Sequence, residues 1–160
     1  MKKLEALVAA LENKIPRQAM VNENISKASV GWHIEHSLLT LNVVAEALRK
    51  SNPSAYTRKF SLNRIILVAL GKIPRGRIKS PPPVRPTIAF TDATLREHIL
   101  LTRKNLEALR SLEKDHFFKH PFLGDFKLQP AIRFLRIHTN HHLGIINDII
   151  SSKDNGEHKG

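Results

Sequence analysis

A chain of 160 residues that is 41% hydrophobic and 25% charged can bury the core of one domain, which excludes a wholly disordered protein. The 26 Lys and Arg residues outnumber the 14 Asp and Glu residues, so a formal net charge of +12 makes an anionic partner or substrate conceivable. The lack of cysteine excludes disulfides, thiolate metal sites and a cysteine nucleophile, and it fits a cytoplasmic protein.

Apolar residues recur at helical spacing in four long segments, and this periodicity predicts four amphipathic helices. Their expected bounds are Lys3 to Asn13, Val30 to Lys50 with Ser29 as N-cap, Thr91 or Asp92 to Lys114, and a last helix with Pro130 in its first turn that runs to Ser151. A shorter apolar helix is expected from Tyr56 to Leu70. The first helix lacks the long uncharged core of a signal peptide, and no run of ~18 apolar residues predicts a membrane span.

Two connections stand out between these helices. Residues 71–90 hold five prolines and no acid, and they predict an extended crossover loop. Its bases are Lys72, Arg75, Arg77, Lys79 and Arg85. The segment from Asp115 to Pro130 is predicted to be irregular, because it shows no strand alternation of useful length. We therefore expect an all-α fold: one four-helix bundle over residues 1–151, a crossover between the second and third long helices, one short extra helix, and a polar tail over 152–160.

Two of the nine histidines lie on the inward stripe of the last helix. His138 and His142 are one turn apart among apolar residues, and at ~3.6 residues per turn their side chains share a face. That spacing can present two imidazoles to one metal ion. The alternative is two core histidines that bond carbonyls, hydroxyls or water. His141 lies ~60° to one side of His138 and belongs to the flank of the helix.

The second helix adds two more histidines among apolar neighbours. His36 shares a stripe with Trp32 and Val43, whereas His33 shares one with Val30 and Val44. Two neighbouring helices of a bundle can thus point three or four imidazoles at one level, and ligand sites between facing helices are a known use of this architecture. A single histidine in either place would more often be a satisfied core residue.

Two stretches of the chain resemble the DinB-like superfamily of four-helix bundles. The stretch SVGWHIEHS is similar to the family's entry into its second helix, where His36 matches a metal ligand. The stretch HPFLGDFKLQPAIRFLRIHTNHHLGII resembles the family's HPxxG loop and its last helix with HxxxH, where His138 and His142 match ligands. One departure is that the usual aromatic of the second-helix motif falls on Ala28, with a tryptophan displaced to Trp32. His33 is therefore left open as an alternative or extra ligand.

This resemblance implies a divalent metal ion, typically zinc or nickel, held by His36, His138 and His142 with one position open. It also implies metal-dependent transfer, in some members with a low-molecular-weight thiol, or hydrolysis of a small molecule. A homodimer is compatible with the family. The rival interpretations are a basic nucleic-acid-binding helical protein and a bundle that a metal stabilises without catalysis.

No general base is evident beside these three histidines. Glu35 points ~100° away from His36, and Asp148 lies ~120° from the face through His142. His33, His141 or a loop residue could move a proton, although each is more often structural.

The loop before the last helix has two interpretations of its own. His120 is expected to anchor the loop, with the metal pocket as the alternative position. Phe117, Phe118, Phe122 and Phe126 are expected to close the end of the bundle, with a pocket mouth as their alternative.

Overall fold

A computed structural model describes residues 1–57, 62, 64, 71, 73–75, 80–87 and 90–154 of the chain. This part contains the helices α1 (Lys2–Glu12), α2 (Val30–Lys50), α3 (Asp92–Ala108) and α4 (Leu128–Asp154). Two short strands, β1 (Phe117–His120) and β2 (Gly124–Lys127), lie between α3 and α4. The four predicted long helices are confirmed, and α4 extends beyond the expected Ser151 to Asp154.

Side-chain caps fix the starts of the two central helices. Ser29 Oγ accepts a hydrogen bond of 3.1 Å from the Trp32 amide, which confirms Ser29 as the N-cap of α2. Thr91 and Thr94 form a reciprocal capping box at the start of α3, because each hydroxyl accepts a bond from the other's backbone amide. These caps set the register of α2 and α3 and therefore the faces that their polar side chains occupy.

The helices pack as a bundle in which α1 and α2 each contact both α3 and α4. The two helices α1 and α2 therefore occupy opposite corners, and the apolar stripes of all four meet inside. Side chains of this core with almost no exposure include Leu4, Leu11, Leu38, Leu48, Leu95, Ile99, Leu106, Leu135, Ile146 and Ile149. The inward stripe predicted for α4 lies in this core, with His138 and His142 among its apolar members.

The regular part of α3 ends before the predicted Lys114. The α-helix stops at Ala108, and a 3-10 turn follows over Leu109–Ser111. Ser111 Oγ donates a hydrogen bond of 3.1 Å to the Ala108 carbonyl, which satisfies one acceptor at the helix end. Leu109 in this turn still lies in the core, so the apolar stripe continues past the end of the α-helix. Periodicity alone therefore predicted a helix that is too long.

The segment predicted to be an irregular connection is an antiparallel hairpin, so the mostly helical fold also contains a small two-stranded sheet. Phe118 pairs with Phe126 across the strands, and Gly124 takes the positive φ of 77° at the turn. The alternation of buried and exposed residues that marks a strand is not visible here, because the strands are short. The hairpin also packs against α2 and α4, which buries the consecutive Phe117 and Phe118. The sequence signal that could have indicated a hairpin was a loop with Pro121 and Gly124 between two apolar runs.

Three of the four phenylalanines expected at the end of the bundle close it. Phe117, Phe118 and Phe126 are buried, and the ring of Phe118 stacks on that of Phe126 at 5.3 Å. Phe134 of α4 meets the Phe126 ring at 5.5 Å and joins this aromatic layer to the helix. Phe122 is 64% exposed and takes no part in the closure, which corrects that part of the prediction.

The long connection between α2 and α3 is described only in part. Its 3-10 turn Pro82–Val84 packs on α2 and brings a backbone carbonyl to that helix. Outside the described residues lie Lys72, Arg77, Lys79 and most of the short helix predicted from Tyr56 to Leu70. Among the described helices, none combines the length and the apolar character needed to cross a membrane.

Candidate metal centre

Four histidines from two helices meet in the seam between α2 and α4. His33 and His36 come from α2, His138 and His142 come from α4, and all four side chains are buried. The His142 ring lies 4.6 Å, centroid to centroid, from the rings of both His36 and His138. The structure thus brings together the imidazoles that the sequence placed on facing stripes.

Three of these histidines offer donors to one point. Within the described residues, His36, His138 and His142 form a group whose candidate ligand nitrogens all lie within 4.8 Å of one another. His33 is not a member of that group. The group contains imidazoles alone and no carboxylate, a donor set that suits zinc, nickel and other borderline divalent ions.

His36 is held by the backbone of the connection between α2 and α3. Its Nδ1–H donates a hydrogen bond of 2.6 Å to the Val84 carbonyl, which can only accept, so Nε2 is left unprotonated in the neutral ring. Trp32 covers the same imidazole, with its ring stacked at 5.0 Å. Val43 on the same stripe is 40% exposed, so His36 lies towards the edge of the bundle, where Trp32 and Val84 cover it from outside the histidine cluster.

His138 faces His36 from the opposite helix. The two Nε2 atoms are 3.2 Å apart, and His138 Nδ1 is buried with no hydrogen-bond partner among the described residues. Because His36 Nε2 is unprotonated, this pair can share at most one proton if both rings are neutral.

His142 contacts His33 through a nitrogen pair of its own. The two Nδ1 atoms lie 3.0 Å apart, and the other ring nitrogen of His33, Nε2, lies 3.0 Å from Ser26 Oγ. Both nitrogens of His33 are therefore occupied by protein contacts. His33, which the sequence left open as a ligand, lies outside the donor group and beside one of its members.

Burial keeps the four imidazoles neutral. Burial, with nearby positive groups adding, lowers the pKa of His33 to about 4. Burial also lowers the pKa of His36, against a backbone hydrogen bond that raises it. For His138 and His142 burial is again the first cause, neighbouring histidines add to it, and the pKa falls well below the ordinary value. Neutral imidazole is the form that binds a metal.

The distance between His36 and His138 fits two ligands of one metal ion. Tetrahedral zinc binds imidazole nitrogens at ~2.0–2.1 Å, which places any two ligand atoms ~3.3 Å apart. The observed Nε2–Nε2 distance between His36 and His138 is 3.2 Å. The Nδ1–H of His36 already donates to a backbone carbonyl, which is the usual outer contact of a metal-bound histidine.

Both carboxylates weighed as a general base are engaged elsewhere. Glu35 is buried against α3, where its Oε2 lies 2.9 Å from His98 Nδ1. Asp148 pairs with Arg75 at 2.8 Å on the outer face of α4. Both positions agree with the helix angles that directed these side chains away from the inward face.

Two further histidines lie near the cluster without joining the donor group. His141 is half-buried on the flank of α4, with its ring 5.0 Å from that of His142. His120 anchors the hairpin loop, because its Nδ1 accepts bonds of 3.2 Å from the amides of Phe122 and Leu123. Burial lowers the pKa of His120 to about 4. The structure therefore agrees with the loop-anchor interpretation.

Comparison with protein families matches this arrangement to a known group. A family model described as the DinB superfamily matches residues 2–146 of the chain. The chain belongs to the DinB superfamily. The match spans α1 to α3 and most of α4, so His36, His138 and His142 of this DinB protein all lie inside it. Comparisons with curated proteins and with solved structures give no match.

Two groups beside the site of this DinB protein were not predicted. The Val84 carbonyl bonds His36, and Ser26 Oγ lies against His33. Both come from connections, where helical periodicity does not apply. A backbone carbonyl has no signature in the sequence, and Ser26 is one of several polar residues between α1 and α2.

Proposed function

We propose that this DinB-superfamily protein binds one divalent ion, zinc or nickel, through His36, His138 and His142. We further propose that it catalyses transfer to or hydrolysis of a small molecule at that site. The observation that carries the proposal is the group of three buried imidazoles with ligand nitrogens within 4.8 Å of one another. Membership of a superfamily whose members are often metal-dependent supports it.

The chemistry follows from the donor set. A divalent ion on three histidines keeps a coordination position for water or a thiol, and it lowers the pKa of the group bound there. The protein contributes neutral ligands, because burial disfavours their protonation. It also orients His36, whose Nδ1–H is fixed by the Val84 carbonyl. A low-molecular-weight thiol is the proposed second substrate in the transfer reaction.

The nucleic-acid interpretation is the weaker one, because some of its candidate bases are engaged within the protein. Arg75 pairs with Asp148 at 2.8 Å, and Arg64 donates a bond of 2.6 Å to the Asp125 carbonyl. A phosphate would have to compete with these contacts. The homodimer and the cytoplasmic location stay predictions from the sequence.

Elemental analysis of protein purified without an affinity tag tests the metal. We expect a single zinc or nickel ion per chain, or stoichiometric uptake of either ion by metal-free protein. A chain that carries no metal and takes up neither ion would remove the proposal.

The same preparation separates the rivals. Turnover with thiols and electrophiles, or hydrolysis of small esters and amides, supports the enzyme, whereas bound metal without any turnover favours a metal-stabilised bundle. Sub-micromolar binding of nucleic acid at physiological salt, lost when Arg75, Arg77 and Lys79 are replaced by Gln, would favour the nucleic-acid interpretation.

A further inference from the structure

The contact between His33 and His142 assigns His33 a place in the proposed site. We infer that His33 is a positioning residue, not a ligand: it accepts the Nδ1–H of His142 and thereby holds His142 Nε2 ready for the metal. Ser26 completes this arrangement from the connection between α1 and α2. The inference rests on the proposed function, since it concerns how one ligand of that metal is oriented.

The hydrogen positions follow from the contacts. A single proton lies between the two Nδ1 atoms, which are 3.0 Å apart, and it belongs either to His142 or to His33. If it belongs to His142, then His142 Nε2 is unprotonated and free for a metal. If it belongs to His33, then His142 Nδ1 is the acceptor and its Nε2 carries the proton, which blocks that nitrogen as a ligand.

Ser26 is compatible with the first arrangement, and the proposed metal selects it. Its Oγ lies 3.0 Å from His33 Nε2 and also accepts a bond of 3.1 Å from the Ala28 amide. A hydroxyl can either accept the Nε2–H of His33 or donate to an unprotonated Nε2, so this contact accommodates both arrangements. A metal on His142 selects the first, because His142 Nδ1 faces His33 and Nε2 is then the nitrogen that must be unprotonated to bind it. His33 then has its proton on Nε2 and presents an unprotonated Nδ1 to His142. Burial of His33 leaves the neutral ring, with one donor and one acceptor, as the form that fits.

His33 is unsuited to be a ligand in this geometry. The donor group that could share one ion contains His36, His138 and His142 but not His33. Both nitrogens of His33 are already directed at protein atoms, Ser26 Oγ on one side and His142 Nδ1 on the other. A metal-bound histidine commonly donates its second ring N–H to such an outer acceptor.

Three variants test the inference through metal affinity. His33→Asn keeps an acceptor, since Asn Oδ1 is as many bonds from the backbone as His Nδ1, and His33→Leu removes it at similar volume. We expect His33→Leu to weaken zinc binding ~10–100-fold, the usual cost of losing an outer contact, and His33→Asn to restore most of it. His141→Leu is the matched control, since the His141 ring also adjoins that of His142 without belonging to the donor group, and it should bind zinc nearly as the wild type does.

The tautomer of His142 gives a second readout, from nitrogen-15 NMR of the metal-free and zinc-loaded protein. We expect the proton on Nδ1 in the zinc-loaded protein, with zinc on Nε2. Zinc binding by His33→Leu that equals the wild type, or zinc on His142 Nδ1 with the proton on Nε2, overturns this inference alone. If His33→Asn and His33→Leu both lose zinc as completely as His142→Ala, then His33 is a ligand. If the wild type binds no metal, the proposed function fails and this role of His33 fails with it.

Discussion

Helix α2 turns one face of polar side chains to α3 and another to α4. The imidazoles on the two faces have different partners. Towards α3, Glu35 is buried and its carboxylate lies 2.9 Å from His98 Nδ1. Towards α4, His36 meets His138 at 3.2 Å, nitrogen to nitrogen, with His142 beside both. One face pairs an imidazole with an acid, and the other gathers imidazoles without one.

The difference shows what each face can bind. A carboxylate and an imidazole complete each other, because the N–H donates to the oxygen in either charge state of the ring. Imidazoles that face each other cannot all be protonated, and the pKa of His138 is held well below its ordinary value by burial and by its histidine neighbours. Several lone pairs then converge where protons are excluded, which is the condition that favours a metal ion.

The largest expected effect comes from deleting one histidine on each face. His142→Ala removes a proposed ligand, so zinc or nickel affinity should fall by more than the ~10–100-fold that loss of an outer contact costs. His98→Ala breaks the pair with Glu35 and should leave metal affinity close to that of the wild type. Isothermal titration of metal into the two variants measures the contrast.

Circular dichroism should be used to check that both variants are folded. The check matters because His98→Ala leaves the buried Glu35 without its imidazole partner. His141→Ala serves as the control within α4, where a half-buried histidine adjoins His142 without belonging to the donor group. If His141→Ala strips the metal and His142→Ala retains it, the face assigned to α4 is wrong.

Acid should destabilise the metal-free protein through the buried histidines. Burial lowers the pKa of both His33 and His120 to about 4, whereas histidines of an unfolded chain titrate near ~6.5. Below ~6.5 the unfolded state binds more protons, so stability present above that pH is lost as pH falls towards ~4. Thermal melts at stepped pH measure this, and bound metal should leave in the same window, below the mid-fives, because protons compete for the ligands.

His142→Leu provides the comparison for this pH dependence. It removes one imidazole whose pKa is lowered by burial, so the metal-free variant should lose less stability between pH ~7 and ~5 than the wild type does. An equal loss in both proteins would place the acid sensitivity outside the histidine cluster.

The starts of the helices and their apolar stripes could be predicted from the sequence, because both depend on residues close together in the chain. Ser29 and Thr91 are N-cap residue types followed by apolar periodicity, and both cap helices in the structure. The hairpin was missed because two consecutive phenylalanines are buried in a strand of four residues, which erases alternation. A short strand at the end of a bundle is set by tertiary packing and not by its own pattern.

The candidate site shows the same division. His138 and His142 share the inward stripe of α4, and periodicity is enough to place them there. His36 lies towards the edge of the bundle, where Trp32 stacks on it and the turn at Val84 bonds it. The cover by Val84 comes from a connection distant in sequence, so no periodicity could predict it. Ser26 is only seven residues from His33, but it precedes the helix, so helical periodicity does not place it either.

A substitution at the start of α2 should separate loss of stability from loss of a ligand. In Gly31→Ala the new Cβ would collide with the Phe90 ring, including a 3.0 Å contact to Cδ2, and lie 3.1 Å from Gln18 Cβ. Overpacking of this kind costs ~1–3 kcal/mol, more than the helix propensity of alanine returns near a helix end. Chemical denaturation should show this loss, while the folded variant keeps wild-type metal affinity. Loss of metal without loss of stability would mean that Gly31 supports the site directly.

The smallest expected effect is a gain in stability on the α3 face. Thr102 is fully buried, and its Oγ1 has no hydrogen-bond partner within the described part of the chain. An unpaired buried hydroxyl costs free energy, and valine has nearly the same shape without it, so Thr102→Val should raise the free energy of unfolding by ~1 kcal/mol. Metal affinity should not change, because the substitution faces the core from α3 and the proposed ligands lie on α2 and α4.

Thermal and urea unfolding of the metal-free protein measure the gain, with Thr102→Ser as the control that keeps the hydroxyl and removes a methyl group. A loss of stability in Thr102→Val would mean that this hydroxyl bonds within the bundle, and the contrast between the two faces of α2 would then rest on the Glu35–His98 pair alone.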